Sequence, residues 1–379
     1  MARSIEEINS RIKRGKAVVL TKEEFLEVVD EEGVDSAARK VDVVTTATFG
    51  AMCSSGAFFN FKHTDPPMKL SRVTLNDVPA YGGLAAMDVF LGATEPSQTD
   101  PTYGGAFVIE ALVKGEKVRL KATSQGTDCY PRKEIESWFH LSDLNQAYLF
   151  NPRNAYQNYG AASNGSDRVI HTYMGSLLPR YGNVTYSTSG KLSPLLNDPY
   201  YRTIGIGTKV FLAGAEGFVA WEGTQHNPGA PRTERGIPVG AAGTLALIGN
   251  LKEMDHRFLK AAFFHNYGVS LYVGIGVPIP VLDKDMALNL AVRDEDIVTK
   301  IFDYGVPELS RPVLGQVTYA QLRTGSVTIN GKTVPTAPLS SIVKAREIAS
   351  VLKDRILSGE FTLTEPVRSL PTIPEEKED

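Results

Sequence analysis

The sequence predicts a mixed α/β fold, a mixed sheet with flanking helices whose topology is left open. Three observations predict it. β-Branched runs such as VDVVTTATF (41–49) read as buried strands. Capped segments such as SSIVKAREIASVLKDRILSG (340–359) read as helices. Strand and helix signals alternate at both ends of the 379-residue chain, as an α/β architecture requires.

The elements follow in order. Ser4 with Glu7 makes a capping box and predicts a helix to about Arg14. AVVL (17–20) is a short strand, and Thr21 with Glu24 opens a second helix to about Asp30. The strand at 41–49 runs into Gly50, and Cys53 follows it. MDVFLGAT (87–94) reads as a strand, and GGAFVIEALVKG (104–115) as a helix closed by Gly115. EKVRLKATS (116–124) alternates like a strand and leads to Cys129. Residues 151–201 are rich in Asn, Tyr and Gly without a sustained period, which predicts ordered loops and short helices covering a site.

Further on, TKVFLAGAEGFVAW (208–221), GTLALIGN (243–250) and GVSLYVGIG (268–276) read as strands. EMDHRFLKAAFFHNYG (253–268) reads as a helix between the last two, ended by Gly268. Asn330-Gly331 predicts a hairpin, and 340–359 is the clearest helix, capped by Ser and closed by Gly359. The expected organisation is one catalytic region over 1–365, in one or two lobes, and an acidic tail over 366–379 that is mobile.

Composition removes whole classes of function. A net charge of -3 argues against nucleic acid as a partner. The longest apolar stretch, GVSLYVGIGVPIPVL (268–282), is broken by Pro278 and Pro280, so no membrane helix and a cytoplasmic location are expected. Gly205-Ile-Gly207 and Gly274-Ile-Gly276 lack the third glycine of a dinucleotide fingerprint, and no phosphate-loop motif occurs. Glu222 with His226, and His63 with Asp65, are favoured as ordinary polar loops over a metal site, so no bound metal is expected. Two cysteines cannot build a four-thiolate centre.

Those two cysteines stand in FGAMCSSGAFFNF (49–61) and SQGTDCYPRKE (124–134). Each follows a predicted strand, where α/β sheets place their sites. Small residues behind Cys53 allow backbone N–H groups to approach an anion, and Arg132 and Lys133 near Cys129 favour its thiolate. A functional thiol and a small buried hydrophobe weigh evenly on composition alone.

The same segments, together with LNDVPAYGGLAAMDVFLGATE, NPRNAYQNY, GTQHNPGAPR and VSLYVGIGVPIPVL, resemble the homocysteine biosynthesis family, the L-aspartate semialdehyde sulfurtransferases of methanogens and other anaerobes. The resemblance spans about residues 5–365. Some members carry a C-terminal pair of CBS domains, and regulation through such a module is not expected here. The resemblance implies that sulfide and aspartate semialdehyde become homocysteine, with electrons from a reduced [4Fe-4S] ferredoxin-type partner. It implies a persulfide on Cys129 and a second important thiol at Cys53.

The stoichiometry agrees: taking an aldehyde to a thiol needs two electrons and two protons, and the chain shows no flavin, nicotinamide or cluster motif to supply them. The expected site has Cys129 and Cys53 facing one cavity, Cys129 in the larger role and Cys53 resolving or positioning. His63 shuttles a proton, and Arg132, Arg153 or Arg180 binds the substrate carboxylate. Two other readings stand beside it: the same chemistry on sulfoacetaldehyde, towards coenzyme M, and a non-catalytic persulfide carrier. Homo-oligomerisation is left open.

Overall fold

Nine residues, Val43–Ala51, form a strand buried at all but its last position, as a run led by β-branched residues should be. In the computed structural model, which describes residues 3–372, this strand pairs in parallel with Val19–Thr21. On its other side it pairs antiparallel with Gly268–Pro280, from Ala51 opposite Tyr272 to Val43 opposite Pro280. Pro278 and Pro280 lie beyond the stretch paired with Lys209–Leu212, where the long strand has one neighbour, so their missing N–H groups cost no ladder bond on that side.

The result is a 14-stranded mixed sheet, accompanied by a six-stranded sheet and two small two-stranded ones. The mixed α/β class is therefore the observed one. The helix Ile342–Leu357 lays Ala345, Ile348, Ala349 and Leu352 on the large sheet. A Cβ at Gly274 would stand 2.7 Å from the Ile348 side chain, so only glycine lets helix and strand approach this closely. No described helix is long and apolar enough to cross a membrane.

One connection fixes the curvature. Val43–Ala51 and Gly56–Asn60 are joined by residues 52–55, yet five strands stand between them in the sheet order. Laid flat, that separation is about 29 Å. The link reaches at most about 18 Å. The sheet must curl back on itself, and Cys53 sits at the seam.

Several expectations change. Both N-terminal capping boxes are present, but a further helix, Val34–Lys40, follows the second. Residues 253–268 are not a helix: Leu259–Phe264 is a strand, hairpinned onto Gly268–Pro280. Asn266 takes a positive φ of 53° in the turn, and pairing with a long neighbour outweighs local helical preference. Residues 151–201 contain four short strands as well as loops and short helices. Of the tail expected to be mobile, the described part is tied down: Arg368–Ser369 pairs with Gly205–Ile206 and Leu370 is buried. Residues 373–379 lie outside the described residues.

Candidate active site

Cys53 is delivered by the end of its strand. The Met52 N–H donates to Leu271 O (2.7 Å) and the Ser55 N–H to Met52 O (3.0 Å), so the thiol sits on a pinned turn. Its sulfur is 3.2 Å from the buried Ser270 hydroxyl. It faces a cavity of about 240 Å³ whose lining includes Thr48, Gly50, Arg153, Tyr156, Tyr159, Tyr173 and Tyr267. Drug-sized ligands occupy roughly 300–1,000 Å³, so this space suits a metabolite of a few carbons. Gly50 is part of the fit, since a Cβ there would stand 2.7 Å from Ser340 Oγ.

Arg153 is the cation of this cavity. It is the penultimate residue of the strand Gln146–Asn154 and lies beside Tyr156 and Tyr267. It pairs with no carboxylate among the described residues, and its Nε is buried without a hydrogen-bond partner. Among the described residues, no Asp or Glu lines the cavity. A guanidinium held this way presents its donor fork to a planar anion.

Beside hydroxyl and amide side chains such as Thr48, Thr188 and Gln225, the cavity is lined by four phenols, Tyr156, Tyr159, Tyr173 and Tyr267. Burial, then the neighbouring Cys53, pushes Tyr267 up to about 12. Tyr156 and Tyr272 rise too: burial leads in both, Arg153 opposes the rise of Tyr156, and the Cys53 charge adds to each. The hydroxyls of Tyr159 and Tyr173 are 3.1 Å apart, and those of Tyr173 and Tyr304 are 2.7 Å apart. Burial, then Tyr173, raises both Tyr159 and Tyr304. Tyr156, Tyr159, Tyr267, Tyr272 and Tyr304 therefore remain protonated donors at neutral pH. None was singled out from the sequence; for Tyr156 and Tyr159 the signal was NPRNAYQNY, read as part of a segment covering a site and as one of the family-like motifs.

Cys129 lies elsewhere. It is exposed, in the loop between Val118–Thr123 and Glu134–Phe139. Thr127 and Tyr130 exchange backbone hydrogen bonds of 2.9 and 3.0 Å, which puts Asp128 and Cys129 at the tip of a tight turn. The Tyr130 ring stacks on His63, with centroids 6.3 Å apart. The Arg132 N–H donates to Pro67 O, and Arg132 Nε to Glu134 O at 3.0 Å. Cys129, His63 and Arg132 thus share one exposed corner.

Cys53 precedes the strand Gly56–Asn60 and His63 follows it. That strand alone spans about 13 Å. Cys129 and His63 do not line the Cys53 cavity, so within one chain the expected shared cavity is not formed, and the expected proton shuttle from His63 does not reach it. Arg180 is in neither place. It is exposed and paired with Asp167 at 2.7 Å. Of the three arginines, Arg153 is the one that the fold brings to the Cys53 cavity.

Among the described residues, no three His, Cys, Asp or Glu side chains converge as a metal centre requires. No solved structure matches the chain. Residues 17–363 match the profile described as homocysteine biosynthesis enzyme, sulfur-incorporation. A protein of Methanosarcina acetivorans named L-aspartate semialdehyde sulfurtransferase is 52% identical over 97% of this chain and 72% of its own length. A protein of the same name from Methanocaldococcus jannaschii is 51% identical over 97% of this chain and 73% of its own. An uncharacterized protein of Methanothermobacter thermautotrophicus is 32% identical over 86% of this chain and 73% of its own. Identity at this level over nearly the whole chain, with a thiol and an unpaired arginine in one small cavity, leaves one assignment: the chain belongs to the homocysteine biosynthesis family of sulfur-incorporation enzymes.

Proposed function

We propose that this enzyme converts L-aspartate semialdehyde and sulfide to L-homocysteine in the Cys53 cavity. The observation that carries the proposal is the meeting of a thiol and an unpaired arginine in a space sized for a four-carbon aldehyde. The reaction balances when one aldehyde, one hydrogen sulfide, two electrons and two protons give one thiol and one water. Arg153 holds the substrate carboxylate by its donor fork. The tyrosine faces take the ammonium group by cation–π attraction. Sulfane sulfur reaches the aldehyde carbon as the Cys53 persulfide, whereas free sulfide adds to that carbon directly as hydrosulfide with no persulfide formed.

Cys129 receives sulfur as a persulfide on its exposed turn, where another protein can reach it. Exchange then follows: Cys129–S–SH plus Cys53–S⁻ gives Cys129–S⁻ plus Cys53–S–SH. Exchange requires the two sulfurs to meet, through movement of the Cys129 turn or across two copies of the chain. The two electrons come from a reduced [4Fe-4S] ferredoxin-type protein, with Arg132 and Lys133 attracting its acidic surface. A sulfane donor raises the demand to four electrons per product, because its sulfur enters two electrons more oxidised than sulfide.

One observation favours a second substrate. Among the described residues the cavity offers a cation and no carboxylate, which suits sulfoacetaldehyde as well as an amino acid. A pure persulfide carrier needs no cavity of this kind and is the weaker reading. The test supplies purified chain, sulfide, a low-potential reductant and each aldehyde, with thiol products identified by mass. Homocysteine from aspartate semialdehyde should form at least several-fold faster than coenzyme M from sulfoacetaldehyde. The reverse order would move the function to the sulfonate substrate.

A further inference from the structure

The expected proton shuttle, His63, stands on the exposed corner with Cys129, yet the reaction in the cavity consumes protons. Three tyrosines fill the gap. Tyr159 precedes the strand Ala161–Ser163 and Tyr304 follows Val298–Asp303; these strands are parallel neighbours, with Ala161 opposite Ile301. Tyr173 sits in the turn between Ile170–Thr172 and Gly175–Leu177 and inserts its hydroxyl between the other two, 3.1 Å from Tyr159 and 2.7 Å from Tyr304. Tyr159 and Tyr173 line the cavity with Cys53; Tyr304 does not, and the Arg311 guanidinium lies 4.2 Å from its ring centre. The row therefore has an inner and an outer end.

Resting on the sulfur-insertion reading above, we propose that Tyr159 is the catalytic acid that protonates the aldehyde oxygen as sulfur adds, and that Tyr173 and Tyr304 are relay residues that return the proton. In this step the C–S bond forms and the C=O π pair moves onto oxygen. That oxygen takes the Tyr159 proton. Tyr159 regains one from Tyr173, Tyr173 from Tyr304, and Tyr304 from water. No electrons are gained or lost, so the step precedes and is separate from the reduction. The Tyr159 hydroxyl suits this task by position, because it lines the cavity and is joined at 3.1 Å to the next hydroxyl of the row. Each hydroxyl has one proton to give and lone pairs to accept. A row running Tyr304 to Tyr173 to Tyr159 leaves the innermost proton free to point into the cavity.

The addition step can be read without any reductant. With aldehyde labelled by ¹³C at the carbonyl, adding sulfide and wild-type chain should move the resonance from the carbonyl to the tetrahedral region. Tyr159→Phe should slow that conversion by about 100-fold, within the usual range for a positioned acid, with the melting temperature retained. Tyr173→Phe and Tyr304→Phe should slow it about 10-fold. They should also turn the bowed rate dependence on the heavy-water fraction, the sign of several protons moving together, into a straight line. Conversion by Tyr159→Phe within twofold of wild type, or an unchanged bowed dependence in both relay variants, would overturn the proposal, as would absence of any adduct on the wild-type chain. An adduct that depends on Tyr159 but never becomes thiol when reductant is added supports the relay and instead overturns the complete sulfur-insertion reading.

Discussion

The Cys53 sulfur stands 3.2 Å from the Ser270 hydroxyl, across the seam where a strand end meets the long strand Gly268–Pro280. Ser270 is fully buried and has Cys53 as its side-chain partner, so the contact orients the thiol toward the cavity. Ser270→Ala should lower kcat about tenfold while costing only about 1 kcal/mol of stability, the usual worth of one hydrogen bond. A kinetic and thermal-melt comparison checks both. Unchanged kcat would mean that the turn at Met52 positions the sulfur alone.

Arg153 should govern substrate affinity. Arg153→Gln removes the charge and the fork, and should raise KM for the aldehyde about 30-fold or more, consistent with losing a charge-assisted contact of about 2 kcal/mol. Arg180→Gln, on an exposed ion pair outside the cavity, should leave KM unchanged. Equal effects of the two substitutions would argue against the cavity as the substrate site.

Cys129→Ser should leave the melting temperature within experimental scatter, because the residue is exposed at a turn tip. Turnover driven by a protein sulfur donor and ferredoxin should fall by about 100-fold or more, as removal of an essential nucleophile does. Turnover with millimolar sulfide and a chemical reductant should fall less, since free sulfide can reach the cavity without the relay. Identical losses under both conditions would place Cys129 in the chemistry itself.

Alkaline stability follows from the buried phenols. Burial pushes Tyr267 and Tyr201 each up to about 12 in the fold, above the value near 10 of an unfolded tyrosine. A raised folded value means the neutral form is favoured by folding. This stabilisation is complete below about pH 10 and is lost as pH rises towards 12. Urea midpoints should be flat from pH 8 to about 9.5 and then fall, with phenolate absorbance rising alongside unfolding. Phenolate absorbance rising fully by pH 10.5 in the folded protein would contradict the burial of these rings.

Local chemistry was legible and long-range curvature was not. Ser4 with Glu7 and Thr21 with Glu24 specify their helix starts within four residues, and both boxes form. The β-branched run at 43–51 announces its own burial, and both cysteines follow strands as read. The segment 253–268 misled because its apolar spacing fits a helix, while the turn at Asn266 and the partner strand decide otherwise. The Asn76-Asp77 turn, with φ of 49° and 63°, carried a hairpin signal that went unread. Arg153 and the tyrosines meet Cys53 only because the sheet curls, a property of five intervening strands rather than of any local motif. The same curl leaves Cys129 at a different corner from Cys53, which no spacing in the sequence reveals.

The most direct test compares wild type with Cys53→Ser under a persulfide donor, aspartate semialdehyde and a low-potential chemical reductant, with homocysteine counted by mass. The serine hydroxyl can keep the contact with Ser270, so the fold should persist; it cannot carry sulfur. Loss of product formation by about 1,000-fold or more, with the melting temperature retained, is the expected result for a nucleophile at the reacting centre. Homocysteine formed by Cys53→Ser at the wild-type rate would contradict the placement of sulfur insertion in this cavity.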